Sequence, residues 1–71
     1  MTDLELLLAK IKESGMTIVA ICKKAGIDRA TFYNRLNGIG EFTASEITGL
    51  SQTLHLTKAE RDKIFLTKNV N

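Results

Sequence analysis

Apolar residues recur at intervals of three and four along the whole of this chain, and nowhere do they alternate with polar ones as a strand would require. Leu4, Leu7, Leu8 and Ile11 make the first apolar stripe. Ile18, Ile21, Cys22 and Ala25 make the second, at i, i+3, i+4 and i+7. Phe32 and Leu36, four apart, face one way in a third segment, and Ile47, Leu50 and Leu54 in a fourth. A fifth segment ends in Ile64, Phe65 and Leu66, three adjacent apolar residues and more than one helix face can bury. Leu6 falls off the first stripe and is expected at the surface. The pattern predicts an all-α fold of five helices, and no Pro interrupts any of them.

Capping chemistry sets the boundaries. Thr2-Asp-Leu-Glu5, Thr43-Ala-Ser-Glu46 and Thr57-Lys-Ala-Glu60 each have the capping-box spacing, in which Thr accepts from the N–H three residues on and Glu reaches back. Thr17 and Asp28 are the expected N-caps of the second and third helices. Gly15 stops the first helix and Gly26 the second, where the backbone turns left-handed. The helices are thus predicted to end near Ser14, Lys24, Asn37, Leu54 and Leu66. Phe42 precedes a cap and is placed to staple against Ile47. Gly49, inside the fourth helix, costs about 1 kcal/mol relative to Ala, which close packing there would explain. Residues 1–66 read as one domain, and 67–71 as a frayed tail.

With 71 residues, the chain buries only about 60% of its unfolded surface and is a candidate for leaning on a partner. One Cys rules out an internal disulfide and suits a reducing cytosol. No apolar run is long enough to span a membrane, and the opening MTDLELLLAKIK puts acids first, unlike a secretory signal. A cytoplasmic protein is expected. No nucleophile–base pair, glycine-rich phosphate loop or metal spacing is present, so neither catalysis, a cofactor, a metal nor a small-molecule substrate is expected. His55 has no second ligand nearby in sequence, and Cys22 lies on an apolar stripe as a small hydrophobe. The net charge is only +2, but its distribution is uneven. Lys23, Lys24, Arg29 and Arg35 lie between Thr17 and Ile39 against one acid, Asp28, while acids outnumber bases elsewhere.

That basic stretch, Thr17 to Gly38, holds two short helices joined at Gly26. So short a turn forces a steep crossing, the helix-turn-helix arrangement whose second helix enters a DNA major groove. With Phe32 and Leu36 facing inward, Arg29, Ala30, Thr31, Asn34 and Arg35 face outward. Arg can pair with guanine, Asn with adenine, and the methyls of Ala or Thr can meet that of thymine. Tyr33 is expected to rim the core, although its hydroxyl could also reach a phosphate. Cys22 in a small-residue slot, the turn Gly26, the closing Asn37-Gly38 and the run FYNRLNGIGEFTASEI together resemble the Cro/lambda-repressor-like (XRE-type) regulators of temperate phages, over about residues 4 to 56. The resemblance implies a compact five-helix domain with its helix-turn-helix at residues 17–38, acting as a repressor-type transcriptional regulator of a lysis–lysogeny switch on operator DNA. It places Arg29, Ala30 and Asn34 at base-reading positions, and Thr31 and Asn37 near the DNA backbone. Thr17, Lys23, Lys24 and Arg35 are candidate phosphate contacts, and Asp28 is left to capping.

One position departs from that family. Where its second helix usually opens Thr-Gln, with the Gln bracing the reading helix on a phosphate, this chain has Thr17-Ile18, followed by Val19 and Ala20. An apolar rim suits a protein partner better than a phosphate. A second reading is therefore open: an antirepressor that covers the DNA-contacting face of a cognate phage repressor with Ile18, Val19, Ala20, Ala30 and Tyr33. Ile64, Phe65 and Leu66 are the candidate residues for a homodimer.

Overall fold

The computed structural model describes residues 1–66. The tail expected to fray, 67–71, lies outside the described residues. Among the described residues there are five helices and no strand: α1 (Leu4–Ser14), α2 (Ile18–Ala25), α3 (Arg29–Leu36), α4 (Ala44–Thr53) and α5 (Lys58–Phe65). Among the described residues, no helix is long and apolar enough to cross a membrane.

Four of the five expected N-caps form. Thr17 Oγ1 accepts from the Ala20 N–H, and Asp28 from that of Thr31. Thr43/Glu46 and Thr57/Glu60 close reciprocal capping boxes. The exception is α1, whose cap is Asp3, accepting from the Leu6 N–H at 3.0 Å, and not Thr2. A carboxylate at the positive end of the helix dipole outcompetes a hydroxyl one residue earlier. The Asp3 N–H also donates to the Ile64 carbonyl at 2.7 Å, tying the start of α1 to the end of α5.

All five helices supply one core. Leu7, Ile21, Phe32, Leu50 and Ile64 are its fully buried side chains, joined by Ile11, Cys22, Ile27, Phe42 and Phe65. Phe42, in the loop before α4, is the hinge of its aromatic part. Its ring meets Phe32 edge-on at 6.2 Å and Phe65 at 5.4 Å between centroids, within the range where such pairs add about 0.5–1.5 kcal/mol beyond burial. α2 packs most extensively on α4. Gly49 permits the near approach: a Cβ there would run into the Ala25 carbonyl oxygen and lie 3.2 Å from its carbon.

Two apolar residues of α1 exchange the places expected of them. Leu8 is exposed, and Leu6 is half-buried against the core. The buried face is turned toward Lys10 and Ser14 because α1 packs on α5, where Lys10 Nζ meets Glu60 Oε2 at 2.5 Å. This ion pair raises the Lys10 pKa, chiefly through its hydrogen bond to Glu60, and lowers that of Glu60 through the same bond. The three apolar residues at the end of α5, considered for a dimer surface, divide. Ile64 and Phe65 both point into the core, so only Leu66 is left exposed.

Candidate nucleic-acid interface

The site begins with a turn. The Gly26 and Ile27 N–H groups both donate to the Cys22 carbonyl, at 2.9 and 3.0 Å, while Gly26 takes φ +74°. An L side chain adopts that φ at a cost, and Gly does not. Ile27, just past the stop, is buried and pins the turn to the core. Asp28 then restarts the chain as a helix. Phe32, fully buried, anchors α3, a burial worth about 1.5–3 kcal/mol. Its position decides which residues look outward.

Arg29, Ala30, Tyr33, Asn34 and Asn37 are all exposed, and together form one stripe along α3 and its cap. Thr31 is half-buried beside it. Lys23 and Lys24 are exposed at the end of α2, and Thr17 is exposed at its start. The structure thus brings most of the predicted DNA-contacting residues onto the outer surface of α2 and α3. Asp28 is exposed there too, but its carboxylate is engaged by the α3 backbone at 3.3 Å. Below this surface the Cys22 thiol is buried. Burial pushes its pKa up, against a smaller downward pull from the Arg29 charge.

The apolar residues singled out on α2 divide. Ile18 packs against the core edge and Ala20 is half-buried, but Val19 is 53% exposed. Tyr33 stands out from the rim, 49% exposed, and Ile39, just beyond α3, is 59% exposed. Sequence reasoning had no reason to pick Ile39, since it belongs to no periodic stripe.

Arg35 does not join the outward group. Its side chain is 20% exposed, and its Nε faces Glu46 Oε1 at 3.4 Å. Glu46 was legible as a capping residue of α4; its second bond, to a residue eleven positions earlier, has no local signal. No family model, curated protein or solved structure matches this chain. The case for its function therefore rests on these residues themselves.

Proposed function

We propose that this chain is a small transcriptional regulator of the phage lysis–lysogeny type, acting in the cytoplasm of a bacterial host, with α2 and α3 as a DNA-binding helix-turn-helix. The observation that carries this reading is the α3 stripe: Arg29, Ala30, Tyr33, Asn34 and Asn37 exposed on one side of a helix whose other side is fixed by Phe32. An eight-residue helix, free along one face and held by its neighbour, fits the major groove. Arg29 and Asn34 carry the hydrogen-bonding groups that distinguish guanine and adenine, and Ala30 offers a methyl to thymine. Lys23, Lys24 and Thr17 flank them as phosphate contacts, which fix register without reading sequence. The test is a mobility-shift assay of the purified protein on the DNA flanking its own gene, with and without any neighbouring repressor. A shift by the protein alone, lost when unlabelled flanking DNA but not unrelated DNA is added, supports the reading. No shift in either condition refutes it.

A second reading is favoured by three exposed apolar side chains, one on α2, one on α3 and one just beyond α3: Val19, Tyr33 and Ile39, each about half exposed or more. Phosphates give Val19 and Ile39 no partner, whereas a protein surface can take all three side chains. In this reading the chain is an antirepressor that docks these residues on a cognate repressor. Val19→Asp tests it better than Ile18→Asp, because Ile18 also packs on the core. A folded Val19→Asp variant that still holds the repressor at wild-type affinity rules out this docking face.

A further inference from the structure

We infer that Arg35 is a positioning residue that locks the exit of α3, and not a phosphate contact. The inference rests on the DNA-binding reading for its consequence, but its geometry is independent of it. Arg35 lies in the last turn of α3 and bonds in two directions. Its Nε donates to Glu46 Oε1 at 3.4 Å, and its Nη1 donates to the Ile39 carbonyl at 3.4 Å. The same Glu46 oxygen accepts the Thr43 N–H at 3.0 Å, closing the α4 capping box. One carboxylate oxygen therefore joins the end of α3 to the start of α4, and one guanidinium holds the intervening loop against both.

The loop is built around this side chain. Gly40 lies so close that a Cβ there would sit 2.5 Å from Arg35 Nη1 and 3.3 Å from Cζ. The α3 exit is otherwise held by its own backbone: the Ile39 N–H donates to the Asn34 carbonyl at 2.8 Å, and the Gly38 N–H to that of Arg35 at 3.1 Å. α3 packs chiefly on α2, so Arg35–Glu46 is the polar tie that fixes its far end relative to α4. Asn34 and Asn37 flank that end. Loosening it lets them swing while Arg29, next to the Gly26 turn, stays in place.

A planar guanidinium is suited to this two-directional fork, and an ammonium is not. A phosphate contact, in contrast, needs only the charge. The two roles thus predict opposite outcomes for Arg35→Ala and Arg35→Lys. The probe is a duplex that the wild-type protein selects from a random-sequence pool, compared with a scrambled duplex across a salt series. The positioning role predicts that both variants lose about tenfold in affinity for the selected duplex and little for the scrambled one. It also predicts an unchanged slope of log K against log salt. A slope shallower by about 0.9 in Arg35→Ala, the counterion release of one phosphate contact, restored together with full affinity in Arg35→Lys, overturns the inference. If the wild-type protein selects no duplex, the DNA reading fails, and amide exchange then judges the brace. Arg35→Ala should speed exchange at Gly38, Ile39 and Thr43 while leaving Phe32 protected. Unchanged exchange at those three amides overturns the brace.

Discussion

Replacing Gly49 with Ala opposes two effects of known size. Ala is a better helix former than Gly by about 1 kcal/mol in a helix interior. On an open surface the substitution would stabilise α4. Here the new methyl meets backbone: it would overlap the Ala25 carbonyl oxygen and lie 3.2 and 3.3 Å from its carbonyl carbon and Cα. Backbone cannot rotate aside as a flexible side chain does, so α2 and α4 must separate. Overpacking of this kind costs about 1–3 kcal/mol, and a rigid backbone neighbour puts the site at the upper end. The net expectation is a loss of about 1–2 kcal/mol. In a chain of 71 residues, each kcal/mol moves Tm by about 4–8 °C, so thermal denaturation followed by circular dichroism should show a drop of about 5–15 °C. Because α2 carries Lys23 and Lys24, the shift should also weaken DNA binding. A Tm equal to or above that of the wild type would refute the claim that Gly49 permits the near approach of α2 and α4.

Other substitutions and conditions test separate parts of the account. Glu60 is held below the ordinary carboxylate range chiefly by its hydrogen bond to Lys10. Its contribution to stability is therefore present above the unfolded-state value and is lost as pH falls through the lower folded-state value. The fall in Tm on acidification below about pH 4.5 should be smaller in Glu60→Gln, which keeps the cap oxygen; an identical acid profile would show that the pair contributes nothing. Cys22 is buried, with its thiol pKa raised by burial, so a thiol reagent should label it only after denaturant opens the core. Rapid labelling of the native protein would contradict that burial. On the interface, Arg29→Ala should cost about 1–3 kcal/mol at one base position, whereas Lys24→Ala should weaken all sequences alike. Binding of Arg29→Ala to matched and altered duplexes with the wild-type ratio would count against base reading by Arg29.

The parts of the fold that were legible in sequence are those decided within a few residues. The caps at Thr17, Asp28, Thr43 and Thr57 each involve a side chain and an N–H three positions on. The Gly26 turn is equally local. Thr2 was misread because its neighbour Asp3 competes for the same role, and the spacing rule alone does not rank the two. What sequence missed was set by distant partners. Leu6 and Leu8 traded places because α5 arrives on the Lys10 side of α1. Ile64 and Phe65 read as surplus apolar residues until Phe42 supplied a ring for Phe65 to meet. The candidate site divides in the same way. The outward stripe of α3 followed from the inward placement of Phe32, a matter of helical period. Arg35, also outward by period, is drawn away by Glu46 on another helix.

The central claim is that the outer side of α3, together with the end of α2, is the surface that meets DNA. Amide chemical-shift mapping of the isotopically labelled protein during titration with the flanking duplex tests it most directly. The account predicts shifts at Lys23, Lys24, Arg29, Ala30, Tyr33 and Asn34, with α1 and α5 little changed. Shifts concentrated on α1 and α5, with the α3 amides unmoved, would contradict it.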